Sequence, residues 1–377
     1  MSRAVRVLFV VSATLGSQRG PRKDYDALAD ALGADVIDYA VLEHSRSGRL
    51  LARLLGVPVA QAVMAFRKRR DYDVILTDGE HIGIPLALLL KLAGHRIGHV
   101  TIGHRLSASK KRPFFRWLRV QSHITRIALH STRQYALAVS ELGLSSDKLA
   151  LLPYQADTDF WTPRDVSEER MICSAGLEFR DYPTLVTATQ DLDVRVVIGA
   201  ASHWSKRRNS ADHAALPTNV EVDSFDYFAL RDLYSRSAIV VVPLEDVDFQ
   251  AGITTILEAM AMAKPVIVTH SIGQSDVVED RRQVTRGIHP RARSESLLRQ
   301  SAAEAGIVIE PNGMYVPPKD PGALRRAIQY LLDQPAERAR LGAAGRRAVE
   351  QLADLDQYVA RISALVAEAG ARTRAAA

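Results

Sequence analysis

Gln250, Gly252, Thr254, Thr255 and Glu258 fall in one run, FQAGITTILEAMAMAKPVIVT (Phe249–Thr269), which follows the apolar AIVVVPL and the acidic EDVD. A strand that turns through a glycine into a helix presents free backbone N–H groups and a partial positive charge, which suits an anion. Gly252 lacks a Cβ and lets a ligand approach the backbone. Thr254 and Thr255 cap the helix or hydrogen-bond a phosphate oxygen. Glu258, one turn further in, is placed to accept hydrogen bonds from sugar hydroxyls. A lone carboxylate in so apolar a helix is costly without partners. The run has neither the Gly-Lys-Ser/Thr ending of a P-loop nor three spaced glycines of a dinucleotide site, and a merely capped core helix would share its pattern. A second group, Asp78, Glu80 and His81 in TDGEHIG, follows another apolar strand, where ligands of α/β sheets collect. Either carboxylate is a candidate base for an acceptor hydroxyl, whereas His81 reads as structural or acceptor-side.

The elements that must position these groups alternate along the chain. VRVLFVV, ADVIDYA, DVILTDG, HVTIGH, RIALHS and KLALLPY read as strands, with helical runs such as DYDALADALG, IPLALLLKLAG and TRQYALAVSELG among them. The rhythm restarts with MICSAGL and continues through VRVVIGA, NVEVDSF, AIVVVPL and PVIVT, with DYPTLVTATQDL and DYFALRDLYSRS as helices. This is the pattern of βα units in parallel sheets, and 377 residues exceed what one core holds. The expected fold is α/β: two doubly wound, Rossmann-like domains facing across a cleft. Residues 1–160 form the first domain and 161–350 the second, with QADTDFWTPRDVSEER as linker. Residues 351–377 read as a helix packing back on the first domain and ending in a frayed Ala/Arg tail. Asp280–Gly306 shows no clear pattern and reads as a long basic loop.

The single cysteine, Cys173, excludes an intrachain disulfide framework and fits a reducing, cytoplasmic compartment. The apolar start reads as a buried strand and not a leader, and the longest other apolar run is broken by Lys91. The net charge of +6 is uneven: no carboxylate lies between Glu80 and Glu141, a stretch that holds Arg105, Lys110, Lys111, Arg112, Arg116, Arg119, Arg126 and Arg133. Within it, SKKRPFFRWLRV suggests a helix entered at Pro113 with Phe114, Trp117 and Leu118 on one face. Residues 105–133 thus suit an anionic membrane surface, or else the aromatics are core and the charges a solvated face. No nucleic-acid motif accompanies the tract, so nucleic acid is not an expected partner.

TTILEAMAMAKPVIVT, GQSDVVED and PNGMYVPPKDPGALRRAIQYLLDQPAERARLGAAGRRAVE together resemble the C-terminal half of the family 4 glycosyltransferases of the GT-B fold. LALLPYQADTDFW resembles that family's Pro-Asn-Gly-Val-Asp junction, and SAGLEFRDYPTLVTA its segment beginning Gly-Arg. The resemblance implies retaining transfer of a hexose from a nucleotide sugar to a hydroxyl of a glycan or lipid-linked acceptor, with no metal and no other cofactor. It makes residues 1–160 the acceptor-side domain and 161–350 the nucleotide-sugar-binding domain. It assigns Glu258 to the nucleotide ribose, and Gly252, Ile253, Thr254 and Thr255 to the diphosphate or donor sugar. Arg180 would neutralise the departing diphosphate, His104 in TIGHRL would face the donor sugar, and Gly16 would lie near acceptor and phosphate.

The chain departs from the family at two positions. Gln250 replaces the first glutamate of its Glu-x7-Glu pair, and Leu177 replaces the arginine after the glycine. Lys206, Arg207 and Arg208 are candidates to compensate for the second. A glutamine hydrogen-bonds donor hydroxyls but cannot act as a nucleophile, which argues against double displacement from that position. The departures leave two other readings open: a sugar-nucleotide-binding subunit without activity, and an epimerase or hydrolase on the same fold.

Overall fold

A computed structural model of the chain describes residues 5–16, 19–199, 216–280 and 296–376. Its contacts divide into two units. The first runs to Leu152 and takes the chain back from Asp356 onward; the second spans Pro153–Leu355 and includes Arg19–Pro21.

In chain order the first unit contains β1 (Val7–Val10), α1 (Asp24–Leu32), β2 (Asp35–Ile37), α2 (Tyr39–His44), α3 (Arg46–Leu55), α4 (Val57–Lys68), β3 (Val74–Thr77), α5 (Glu80–Leu92), β4 (Gly98–Gly103), α6 (Arg112–Arg116), β5 (Arg126–Leu129), α7 (Thr132–Ser140) and β6 (Leu149–Leu151). Every residue of β1, β3 and β4 is buried, as expected of parallel strands covered by helices on both faces. The sheet is parallel with order β2-β1-β3-β4-β5-β6, so the winding direction reverses between β1 and β3. Three helices, α2 to α4, fill residues 39–68, which the sequence rhythm passes over.

Two expectations for this unit change. The helix entered at Pro113 stops at Arg116, and Arg119 is left-handed at φ 46°. The apolar face therefore does not form: Phe115 is buried, while Trp117 is 81% exposed. The chain's last helix continues to Ala376 where a frayed tail was expected. Arg126 holds it through paired bonds to Glu368 at 3.0 and 2.8 Å, and Val366 and Ala369 are buried.

The second unit contains β7 (Met171–Ala175), α8 (Tyr182–Thr189), β8 (Arg195–Gly199), β9 (Val220–Asp223), α9 (Tyr227–Arg236), β10 (Ile239–Val242), α10 (Ile253–Ala261), β11 (Val266–Thr269), α11 (Leu297–Glu304), β12 (Gly313–Val316), α12 (Pro321–Asp333) and α13 (Pro335–Leu352). Its parallel sheet has order β12-β11-β10-β7-β8-β9, which reverses between β7 and β10. The last helix of the chain is α14 (Leu355–Ala376).

The expected linker is exposed at residues 163–168, but its first part is not. Trp161 is 1% exposed and stacks edge-on against Phe160, and Ala156 pairs with Asp354, so that part belongs to the second core. Leu297–Glu304 is helical, capped by Ser296, where no pattern was expected. Residues 281–295, and Lys206, Arg207 and Arg208, lie outside the described residues. Among the described residues no helix is long and apolar enough to cross a membrane.

Candidate active site

In open α/β sheets, ligands bind beyond the carboxyl ends of the strands where the winding reverses. Both reversal points of this chain gather polar and charged side chains.

At the β7/β10 point, the chain leaves β7 through Gly176 and returns at Arg180, whose backbone bridges to Leu244 just after β10. The Arg180 side chain is buried. Its Nε donates to the Ala175 carbonyl at 3.0 Å, Nη1 to the Glu178 carbonyl at 2.8 Å, and Nη2 to Thr255 Oγ1 at 3.1 Å. Two glycines with positive φ make room for it. A Cβ at Gly176 would lie 2.4 Å from Nη2, and one at Gly252 would lie 2.9 Å from Val242 Cγ1 and 3.4 Å from Nη1. Burial pulls the Arg180 pKa down, opposed by Tyr182, Tyr234, Glu178 and Glu258, but a guanidinium stays charged.

Gly252 also starts α10, and no side chain caps that helix. By contrast, α8, α9 and α12 are capped by Asp181, Asp226 and Asp320. The α10 amides and a fixed guanidinium thus share one corner, an arrangement for binding an anion.

The remaining donor-side candidates take different positions. Thr255 is buried and committed to Arg180 and the Ala175 carbonyl, whereas Thr254 is exposed and Ile253 packs partly into the core. Glu258 is buried one turn into α10, within range of the charge on Arg180. Gln250 donates through Nε2 to Asp276 Oδ2 at 3.4 Å, and Asp276 is 1% exposed. Leu177, at the family's arginine position, packs against the apolar core.

At the β1/β3 point, Asp78 follows β3 and Ser12 follows β1. Asp78 Oδ2 accepts from the Ser12 amide at 2.7 Å and its hydroxyl at 2.8 Å. Its other oxygen, Oδ1, is buried and accepts no hydrogen bond from the described residues. Loss of water raises the Asp78 pKa against the Ser12 bonds and the charges of His81 and His104. Burial also raises Asp24, the first residue of α1, and nearby Asp78 adds to the rise while His104 opposes it.

Glu80 behaves differently. It accepts from the His104 amide at 2.9 Å, the Arg105 amide at 3.3 Å and Lys111 Nζ. Burial acts to raise its pKa, but His104, Lys111 and these bonds bring it down to about 2. Glu80 is therefore an anchor and not a base.

His104 is exposed just after β4, and its Nε2 lies 2.8 Å from the Asp78 carbonyl. A carbonyl only accepts, so Nε2 carries the proton and Nδ1 is the atom left for a substrate. His81 is exposed overall, but its ring packs against Gly79 and loses enough water to lower its pKa, opposed by Asp78 and Glu80. Gly16 lies on the loop after β1 at φ 61°, its N–H donating to Asp26 at 3.0 Å.

The structure thus brings Arg180, Gly252, Thr255 and Glu258 together in one unit, and Asp78, Glu80 and His104 in the other. Sequence reasoning passed over Ser12, Asp24, Gly176 and Asp276. The signal available for Asp24 was an aspartate opening a helix just after the glycine-bearing first loop. Among the described residues no three His, Cys, Asp or Glu side chains come together as metal ligands.

Two doubly wound units, each with polar groups at its reversal point, form an architecture that known proteins share. Residues 179–334 match the family described as Glycosyl transferases group 1. Sucrose-phosphate synthase from Thermosynechococcus elongatus superposes with a TM-score of 0.68 at 17% identity, covering 97% of this chain and 100% of that one. HepE from Anabaena, in complex with UDP, gives 0.67 at 14% identity, over 96% and 100%. The UDP-forming trehalose-phosphate synthase from Burkholderia xenovorans, in complex with glucose-6-phosphate, gives 0.63 at 11% identity, over 96% and 100%. No curated protein sequence matches the chain. The chain has the GT-B fold, and the family match lies within its second unit.

Proposed function

We propose that this protein is a retaining glycosyltransferase that moves a hexose from a nucleoside diphosphate sugar to a hydroxyl acceptor without a metal ion. The observation that carries the reading is Arg180, buried and held at three points beside the uncapped start of α10. Cleaving the sugar–phosphate bond places negative charge on the diphosphate and positive charge on the sugar carbon. A preorganised guanidinium and helix amides stabilise the first of these. The UDP in the HepE structure and the UDP-forming synthase support a uridine diphosphate donor. Glucose-6-phosphate in the latter supports a hydroxylated sugar as acceptor.

The amide of Gln250 offers no carboxylate for a covalent sugar intermediate. Same-face attack follows, with the departing phosphate oxygen taking the acceptor proton. Asp78 Oδ1 accepts a hydrogen bond from an acceptor hydroxyl, and His104 Nδ1 hydrogen-bonds the same hydroxyl, so the two orient it. The acceptor is a glycan or lipid at the cytoplasmic membrane face. Lys110, Arg116, Trp117, Leu118 and Arg119 are exposed and support that location, although Lys111, Arg112 and Arg126 are engaged with Glu80, Glu141 and Glu368.

The test is thermal stabilisation by a panel of UDP-, GDP-, ADP- and TDP-sugars, then product analysis with the best donor. Transfer with retained anomeric configuration, unchanged by a chelator, is expected. Epimerised or hydrolysed donor in the absence of acceptor would sink the transferase reading.

A further inference from the structure

Helix α3, RSGRLLARLL, presents leucines to water. Leu50 is 59% exposed, Leu54 70% and Leu55 51%, and Val57 at the start of α4 is 36% exposed. Of the residues in α3 only Gly48 is buried. A Cβ there would lie 2.7 Å from the Leu42 carbonyl, so the helix sits close on the preceding turn and its outer face is held in place. Ser45 caps its first turn, accepting from the Gly48 amide at 3.1 Å.

The outer face is divided lengthwise. Arg46, Arg49 and Arg53 recur at helical spacing and form one stripe; Leu50 and Leu54 form the next, with exposed Leu55 and half-buried Leu51 toward the inner side. An ordinary surface helix puts apolar residues toward the core and charges outward. Here the leucine stripe is outward as well.

Charge identifies the occupant. From His44 to Arg70 there is no carboxylate, and the segment holds Arg46, Arg49, Arg53, Arg67, Lys68, Arg69 and Arg70. Glu43 and Asp71 bound it, and Arg49 binds the Glu43 backbone carbonyl. An acidic protein would account for the arginines but not for the exposed leucines beside them. A phospholipid interface takes both, with leucines among the upper acyl chains and guanidinium groups on the phosphates.

We propose that α3 is an interfacial anchor that lies along an anionic phospholipid surface. This rests on the reading of a membrane-located acceptor and adds Arg46–Leu55 to the contact that residues 105–133 support. The test is sedimentation of the full chain with phosphatidylglycerol–phosphatidylcholine vesicles and with phosphatidylcholine vesicles at low salt. Binding to the first, weakened by salt, is expected. The double variant Leu50→Gln/Leu54→Gln and the triple variant Arg46→Gln/Arg49→Gln/Arg53→Gln should each bind roughly tenfold less or weaker still.

Val308→Gln, at an exposed apolar residue of the second unit, should bind like the parent. A Leu54→Cys variant labelled with an environment-sensitive dye, Cys173 being buried, should blue-shift on the anionic vesicles. Thermal stabilisation by UDP, read on every variant, keeps the donor assignment separate, since its loss would count against that reading alone. The anchor is overturned if the parent stays in the supernatant, if the leucine variant binds undiminished, or if Val308→Gln weakens binding as much as the leucine variant does. A chain that instead dimerises through Leu50 and Leu54 overturns it equally.

Discussion

Replacing Gln250 by glutamate brings the chain to the pattern of the family it resembles, yet the structure predicts damage. Gln250 Nε2 lies 3.4 Å from Asp276 Oδ2, and Asp276 is almost wholly buried. A second carboxylate oxygen at that distance is repelled by about 5 kcal/mol at an effective dielectric of about 20. Side-chain movement and proton uptake relieve part of this, leaving about 2–3 kcal/mol of lost stability at pH 8.

The sign of the pH dependence follows. The new carboxyl has a folded pKa above its unfolded value of about 4.3, so the cost is full above the raised value. It falls to about 1 kcal/mol near pH 5 and vanishes below about pH 4. Urea unfolding of Gln250→Glu at pH 8 and pH 5 reads the difference. Gln250→Ala is the control, since it removes one long hydrogen bond from a partly exposed side chain and should cost under about 1 kcal/mol. A glutamate variant as stable as the parent at both pH values, and faster in transfer, would refute the placement of Gln250 against Asp276.

Three other substitutions test the two reversal points. Glu80 is depressed from 4.5 to about 2, so it contributes stability above pH 4.5 that is lost as pH falls toward 2. Glu80→Gln should cost about 3 kcal/mol at pH 7 and flatten the acid-unfolding profile between those values. Gly252→Ala puts a methyl 2.9 Å from Val242 Cγ1 on a backbone at φ 74°. It should lower stability by about 2 kcal/mol and weaken stabilisation by nucleotide. Arg180→Lys keeps the charge but loses the three-point hold, and kcat/KM should fall by roughly a hundredfold or more with a smaller change in UDP affinity.

The fold was legible because buried parallel strands leave continuous Val/Ile/Leu runs, and VRVLFVV, DVILTDG, MICSAGL and AIVVVPL each mark one. The donor-side corner was half legible. The strand–glycine–helix pattern pointed to Gly252, but Gly176 matters only because Arg180 folds back over it, a contact that local sequence does not encode. Thr255 read as a phosphate ligand or cap, whereas its hydroxyl is spent on Arg180. The segment holding Trp161 read as a linker because Asp, Thr and Pro dominate its composition, yet one buried tryptophan anchors it in the core. Exposure of Leu50 and Leu54 was invisible for the opposite reason, since a leucine-rich helix normally turns its leucines inward.

Asp78 and Glu80 stand two positions apart and looked interchangeable as bases. The structure separates them by what each accepts. Glu80 takes two amides and an ammonium, which hold it ionised and leave it nothing to give to catalysis. Asp78 is supported on one oxygen by Ser12, while the other is buried without a donor from the described residues. Leaving an acceptor atom unsatisfied costs about 1–3 kcal/mol, and more for a charged group. A ligand hydroxyl donating to Oδ1 would recover that cost on binding and bring its own oxygen within about 3 Å of the carboxylate. Asp78→Asn would keep an acceptor only if its amide oxygen occupied the Oδ1 position, and it would lose the charge in either orientation. The acceptor KM should therefore rise while stabilisation by UDP stays as in the parent. Unchanged acceptor KM in that variant would remove Asp78 from the site and leave His104 to orient the hydroxyl alone.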